Sequence, residues 1–205
     1  MTLMSRSLRL IVLIGFCLVS LGCSTTPKRT TGWPASATQS HTGLDLFYRS
    51  PTFYPNRYQA LLVTPPTVPA HTPSTFNAQR MADAFQQRLR EHLTVARLVP
   101  RVTTSAQDIL PDERVLILET QLIQVTPGSR IGRWWCGEFG CGHSIIEVQG
   151  RLIDAKTGEV FVTFADKRRG AAVIDPTGGS GEDLLREDML DMVRDVAATL
   201  REESQ

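Results

Sequence analysis

The chain has 205 residues, of which 41% are hydrophobic and 21% are charged, and its formal net charge is +1 at pH 7. This length fits one domain of ordinary size with a short extension. The near-neutral balance lacks the strongly basic field with which nucleic-acid-binding proteins attract phosphates. We therefore expect no nucleic-acid partner.

The first 22 residues have the pattern of a secretory signal peptide. Arg6 and Arg9 form a positive start, and no acidic residue occurs before Cys23. The apolar run from Leu10 to Leu21 has about the dozen residues of a signal-peptide core, whereas a membrane-spanning helix needs roughly 20. The sequence thus predicts export and the removal of residues 1–22.

The sequence Ser20-Leu21-Gly22-Cys23 resembles a bacterial lipobox, in which the cysteine thiol is acylated, with palmitate as a typical chain, and becomes the mature N-terminus. Ser20 departs from the pattern, which usually has an aliphatic residue three positions before the cysteine. The alternative is an ordinary signal peptide that leaves Cys23 as a plain thiol. Several acyl chains, each contributing about 0.8 kcal/mol per buried CH₂ group, would anchor the protein without a transmembrane helix.

Cys23 is followed by serine rather than aspartate. By resemblance to enterobacterial sorting rules, this favours the outer membrane, facing the periplasm, over the inner membrane or the cell surface. Cleavage would remove two of the 22 basic residues and none of the 21 acidic ones, so the net charge would change from +1 to −1. Residues 23–43 are predicted to be the lipidated cysteine and a Ser-, Thr- and Pro-rich tether. Residues 44–205 are predicted to form a single domain.

Apolar runs of strand length occur at five places in the predicted domain. They are Tyr58–Val63, Val95–Val102, Val115–Val125, Ser144–Ile153 and Val160–Lys167. The last two are separated by "DAKTGE", in which Asp154 and Gly158 favour the tight turn of a β-hairpin.

Two helices are predicted from apolar residues that recur at helical spacing. The first spans Phe76–Leu93 with Ser74 as its cap, and the second follows a capping box formed by Ser180 and Asp183. The expected apolar faces are Phe76, Met81, Phe85, Leu89 and Leu93 in the first helix, and Leu185, Met189, Met192, Val193, Val196 and Leu200 in the second. The pattern predicts an α+β fold, a mainly antiparallel sheet of about five strands with two helices packed on one face.

Several segments resemble bacterial lipoprotein families that are defined only by domains of unknown function. The start of the domain, "LDLFYRSPTFYPNRYQALLVTPPTV", is similar to one such family. The segments "TPGSRIGRWWCGEFGCG", "VQGRLIDAKTGEVFVTF" and "GGSGEDLL" are similar to a related one. Members usually have small residues where this chain has its cysteine pair. The resemblance implies an exported α+β lipoprotein and transfers no catalytic residue.

The segment "RWWCGEFGCGH" contains the cysteines that remain after Cys17 leaves with the signal peptide and Cys23 takes lipid. An even pair in an oxidising compartment predicts a disulfide between Cys136 and Cys141. In the chain-entropy model, closing so short a loop adds about 2 kcal/mol. The alternative is zinc bound by both thiols and His143, which lacks a fourth local ligand. We therefore expect no metal and no other cofactor, and a redox role is less favoured because the spacing is not C-x-x-C.

The same segment carries large aromatic side chains on a glycine-rich hairpin. These residues either cover the core or form an exposed surface for protein or membrane. If the aromatic side chains are exposed, the basic residues beside them would suit the anionic headgroups of lipids. The candidate contact surface is Trp134, Trp135, Phe139 and Arg133.

The chain contains no G-x-S-x-G, H-E-x-x-H or Walker motif, so we expect no enzymatic activity and assign no catalytic residue. The short run "DKRRG", residues 166–170, is interpreted as a solvated strand edge. The leading hypothesis is a non-enzymatic envelope scaffold or accessory subunit, anchored to the membrane through its N-terminal lipid and in contact with envelope proteins. The alternative is a periplasmic carrier of a lipid or small ligand, and the pattern leaves the oligomeric state open.

Overall fold

The computed structural model describes residues 43–68, 77–129, 142–170 and 180–202. The predicted signal peptide, 1–22, and all of the predicted tether except Gly43 lie outside these ranges. No helix within them combines the length and the apolar character needed to cross a membrane.

The described residues form six strands and two α-helices. The sheet has the strand order β1-β6-β5-β4-β2-β3. In chain order the elements are β1 (Leu46–Arg49), β2 (Ala60–Val63), α1 (Ala78–Ala96), β3 (Arg101–Thr103), β4 (Val115–Thr126), β5 (Ile145–Asp154), β6 (Val160–Arg169) and α2 (Gly181–Glu202).

The predicted α+β class, the two helices and the mainly antiparallel sheet are confirmed, but the number of strands differs from the prediction. The sheet has six strands rather than about five, because the short strand β1 pairs with β6 at one edge. The block β1-β6-β5-β4 is antiparallel, whereas β2 runs parallel to both β3 and β4. The parallel pairing of β2 with β3 arises because α1 returns the chain to the end of the sheet at which β2 began, which is the geometry of a parallel crossover.

Helix α1 is displaced towards the C-terminus of its predicted range, Phe76–Leu93. It begins at Ala78 because Asn77 caps it, with Oδ1 accepting the N–H of Arg80 at 2.9 Å. It continues to Ala96 and ends at Arg97, whose left-handed backbone (φ 55°) directs its N–H to the carbonyl of Leu93. The predicted cap Ser74 and the residue Phe76 lie outside the described residues.

The predicted strand Val95–Val102 is consequently wrong over most of its length. Val95 and Ala96 are the last turn of α1, and β3 covers only Arg101–Thr103. The error has a physical reason. Val95 is apolar and β-branched, but its side chain is 80% exposed at the helix end and takes no part in a strand.

The main core lies between the helices and one face of the sheet. The described residues of both predicted helix faces are buried, which confirms those faces. They belong to one buried cluster with sheet residues such as Leu122 and Phe164, and Phe85 and Val196 of the helices are likewise 0% exposed. Gly150 lies directly across from Phe164, and any side chain there would overlap the ring. The interface between the helices and the sheet is thus filled with side chains.

Two predicted local motifs are confirmed by their hydrogen bonds. In the β5–β6 turn, Gly158 (φ 72°) donates its N–H to the carbonyl of Asp154 at 2.9 Å, and the Asp154 carboxylate accepts the N–H of Thr157. At the start of α2, Ser180 Oγ accepts the N–H of Asp183 at 3.2 Å, while the Asp183 carboxylate accepts the N–H of Ser180 at 3.0 Å.

Candidate functional site

The sites predicted from the sequence lie outside the described residues. This applies to the lipidation site Cys23, to the disulfide between Cys136 and Cys141, and to the contact surface Trp134, Trp135, Phe139 and Arg133. All of them stay predictions.

The Trp-rich segment, "RWWCGEFGCGH", lies in the connection between β4 and β5, and the structure describes residues at both ends of this connection. The N–H of Ser129 donates to the carbonyl of Gly142 at 2.9 Å. Gly128 and Gly142 both have left-handed backbones, at φ 73° and 70°, and a side chain on Gly128 would overlap the backbone of Gly142. The glycines of the predicted hairpin therefore bring β4 and β5 together at this end of the sheet.

An ionic cluster, here called the N-terminal junction, lies where the chain enters β1. It consists of Asp45, Asp166, Arg168 and Asp195. The Arg168 guanidinium donates to Asp166 at 2.8 Å and to Asp195 at 2.7 Å, which links β6 to α2. Asp45 accepts the N–H of Lys167 at 2.9 Å. The cluster fastens the first residues of the domain to the last strand and the last helix.

Burial has a cost for the carboxylates of this junction. It raises the pKa of Asp166 and of Asp45, although Arg168 and the N–H of Lys167 act in the opposite direction.

The run "DKRRG" is not the solvated strand edge that the sequence suggested. Asp166 is 2% exposed, and Lys167 forms a 3.1 Å ion pair with the buried Glu147 across β5 and β6.

At the opposite end of the sheet, Tyr58 holds a short turn in place. Its hydroxyl donates to Asp154 at 2.7 Å, and its N–H donates to the carbonyl of Pro55 at 3.0 Å. Burial together with the bond to Asp154 raises the pKa of Tyr58 to about 12. Burial alone would raise the pKa of Asp154, but the bonds from Tyr58 and from backbone N–H groups lower it. Two residues of this turn, Pro55 and Asn56, line a cleft.

The cleft has a volume of about 1060 Å³ and lies at the C-terminal ends of both helices. Its lining combines apolar side chains with two arginines, and it includes Pro55, Val95, Arg97, Leu98, Val102 and Arg201. Three distant parts of the sequence contribute, the turn before β2, the segment from α1 to β3, and the last turn of α2. The cleft is thus at the end of the helix layer and not between the helices and the sheet.

The charges of the cleft are all of one sign. Neither Arg97 nor Arg201 has an ion-pair partner among the described residues, and no acidic side chain is among the described lining residues. The C-terminal ends of the two helices place partial negative charge nearby, which favours cations at these positions. Because its described lining contains two arginines and no acidic side chain, the cleft is suited to bind an anionic group beside an apolar one.

Sequence reasoning missed the cleft because it assigned Val95–Val102 to a strand. The available signal was the combination of Ala96 and Arg97, since a good helix former extends the helix and a basic residue suits its last turn. Within the described ranges, no group of three or more His, Cys, Asp or Glu side chains is placed to hold a metal ion.

The family described as "Domain of unknown function (DUF4410)" matches residues 54–173. No curated protein matches the chain.

Among solved structures, the chain is similar to the PelC dodecamer from Paraburkholderia phytofirmans, with 14% identity, a TM-score of 0.50 and coverage of 76% of this chain and 94% of that chain. It is also similar to protein XCC0632 from Xanthomonas campestris, with 15% identity, a TM-score of 0.43 and coverage of 77% and 93%. Lipoprotein GNA1162 from Neisseria meningitidis has 14% identity, a TM-score of 0.35 and coverage of 68% and 99%. At these identities the likeness to PelC is one of fold alone.

Proposed function

The chain belongs to the DUF4410 family of domains of unknown function, and on that premise we propose that it is a membrane-anchored lipoprotein of the bacterial envelope. It acts as a non-enzymatic scaffold or accessory subunit. Cys23 carries the lipid, and residues 24–43 connect it to the domain. The mature protein faces the periplasm from the outer membrane.

The filled interface between the helices and the sheet is the observation that carries this proposal. A carrier of lipids or small ligands needs an internal apolar cavity, and such sites usually bury most of the ligand. Here the positions between the two layers are occupied by side chains such as Phe85, Leu89, Leu122, Phe164 and Val196, each 0% exposed. The interface supports a protein that acts through its surface rather than as a carrier.

The arrangement of the two ends of the sheet supports anchoring through the N-terminus. The chain enters at the N-terminal junction, and the connection between β4 and β5 that contains Trp134 and Trp135 leaves the same end of the sheet. The cleft lies at the other end. An anchor at Cys23 would thus leave the cleft accessible from the periplasm.

Palmitate labelling of the wild type and of Cys23→Ala tests the anchor. We expect label and outer-membrane fractionation for the wild type and neither for the variant. If Cys23→Ala took up as much label as the wild type, the anchor would be disproved. Mild cross-linking before purification tests the scaffold role, which predicts discrete adducts with envelope proteins.

The contact surface predicted in the Trp-rich segment is tested separately. Replacing Trp134 and Trp135 with Ala should weaken binding to isolated envelopes and leave the melting temperature unchanged. Unchanged binding with a lowered melting temperature would instead assign these side chains to the core.

A further inference from the structure

We infer that the cleft binds a short acidic segment, interspersed with apolar residues, of a partner protein in the envelope. This inference rests on the proposed scaffold function and names the chemical class of its partner. Four observations support it. They are the apolar lining, the two arginines, the backbone of Arg97 and the position of the cleft in the molecule.

The apolar lining provides a surface for apolar side chains of the partner. Pro55, Leu98 and Val99 in this lining are buried, and Val102 is half-buried. Val95 is 80% exposed, the highest exposure among the large hydrophobic side chains described. A partner that covered Val95 would remove apolar surface from water, which favours binding in proportion to the area covered.

The two arginines provide the electrostatic selectivity. A guanidinium presents donors in a planar fork that matches a carboxylate, and such paired bonds are stronger than neutral hydrogen bonds. Arg97 and Arg201 lie on segments far apart in sequence, and within the described chain neither is engaged by an acid. Glutamate or aspartate side chains of a bound segment would fill this role.

The backbone of Arg97 is a second, independent observation. Among the described residues, Arg97 is the single non-glycine with positive φ. Glycine is favoured at this position after a helix, because a Cβ atom makes the left-handed conformation unfavourable. A strained residue of this kind is a reason to look for a use of its side chain. Arg97 is among the residues that line the cleft.

A peptide suits the cleft better than a lipid headgroup or a small amphiphile. The cleft is open, as the exposure of Val95 shows, so a small apolar ligand would remain largely in contact with water. It also lies at the end of the sheet remote from the N-terminal junction, through which the predicted lipid tether joins the domain. An extended protein segment can cover both arginines and the apolar lining together.

The test measures the affinity of the full chain, in a mild non-ionic detergent, for fluorescent peptides by anisotropy. The peptides share length and leucine content and differ in their remaining positions, which are Glu, Gln or Lys. We expect the Glu peptide to bind about tenfold more tightly than the Gln peptide, since two partly exposed ion pairs contribute roughly this much. The Lys peptide should bind more weakly than either.

Variants distinguish the cleft from general attraction. The double variant Arg97→Gln, Arg201→Gln should lose the preference for Glu. Arg80→Gln is the matched control, because Arg80 is an exposed arginine on the first turn of α1, at the other end of the same helix. Arg97→Gly should weaken binding of the Glu peptide while it raises the melting temperature, whereas a purely structural role for Arg97 predicts no change in binding.

Three results would overturn the inference. They are equal affinity for the Glu and Gln peptides, a Glu preference that survives the double variant, and displacement of the Glu peptide by monomeric short-chain phosphatidylglycerol, which would assign the cleft to lipid headgroups. Palmitate labelling is read on the same preparations. Loss of the peptide preference with intact labelling at Cys23 therefore rejects the cleft proposal alone, and absence of labelling rejects the anchor alone.

Discussion

The N-terminal junction and the cleft both contain arginines, but the two regions use them differently. At the junction, Arg168 is bonded to Asp166 and Asp195 and joins a strand to a helix. At the cleft, Arg97 and Arg201 have no acidic partner within the described chain. The difference indicates that the charges of the junction are paired with one another, whereas those of the cleft are available to a ligand.

The largest expected effect lies next to the junction, in the ion pair between Lys167 and Glu147. Glu147 is 3% exposed, so Lys167→Met would leave a buried carboxylate without its counter-ion. We expect the free energy of unfolding to fall by about 3–5 kcal/mol, measured by urea denaturation at pH 7.

A matched pair on the same face of the sheet provides the control. Arg151 and Glu119 also pair across neighbouring strands, but their side chains are 57% and 38% exposed. Arg151→Met should therefore change the free energy of unfolding by less than about 1 kcal/mol. Equal losses in the two variants would contradict the structural role assigned to the buried charges.

The turn beside the cleft should show an intermediate, pH-dependent effect. Tyr58→Phe removes the hydrogen bond to Asp154 and should lower the free energy of unfolding by about 1–2 kcal/mol near neutral pH. The lowered pKa of Asp154 contributes stability above its unfolded-state pKa, and this contribution is lost as the pH falls through the folded-state pKa. The difference in free energy of unfolding between the variant and the wild type should therefore become smaller at acidic pH.

The free energy of unfolding at alkaline pH gives an independent check of the hydrogen bond between Tyr58 and Asp154. Because the pKa of Tyr58 is raised from 10.0 to about 12, the unfolded chain ionises first and the wild type loses stability between these pH values. Tyr58→Phe lacks this loss, so the difference in free energy of unfolding between the variant and the wild type should become smaller at alkaline pH as well. Urea denaturation of both proteins from acid to alkaline pH tests this, and a difference that stayed constant would contradict the assigned bond.

The smallest effect is expected in the cleft itself. Arg97→Gly relieves a left-handed non-glycine residue and should raise the free energy of unfolding by about 1 kcal/mol, measured by thermal or urea denaturation. Arg97→Ala retains a Cβ atom in the same conformation and should show no such gain. A gain in both variants would show that the guanidinium charge, and not the backbone, is the source of the strain.

The parts of the fold that depend on neighbours in sequence were predictable. The apolar faces of α1 and α2 follow from residues three and four apart, such as Phe85 and Leu89. The β5–β6 turn and the capping box of α2 are each formed by residues three or four positions apart, Asp154 with Gly158 and Ser180 with Asp183.

Features formed by distant residues were not predictable from these patterns. The parallel pairing of β2 with β3 depends on the crossover by α1, which hydropathy alone does not reveal. The bond between Arg168 and Asp195 joins elements on either side of residues 171–179, and "DKRRG" by itself looked like a solvated edge. The cleft gathers Pro55, Arg97 and Arg201 from three parts of the chain.

Site-specific photo-cross-linking in intact cells tests the central claim most directly, that the cleft is the surface through which an anchored protein meets its partner. The photoreactive residue is introduced at Val95, in the cleft, or at Leu110, which is 60% exposed and is not among the lining residues. The account predicts a discrete protein adduct from Val95, its loss in the double variant Arg97→Gln, Arg201→Gln, and no such adduct from Leu110. Adducts of equal yield from both positions, or an adduct from Val95 that persists without the two arginines, would contradict it.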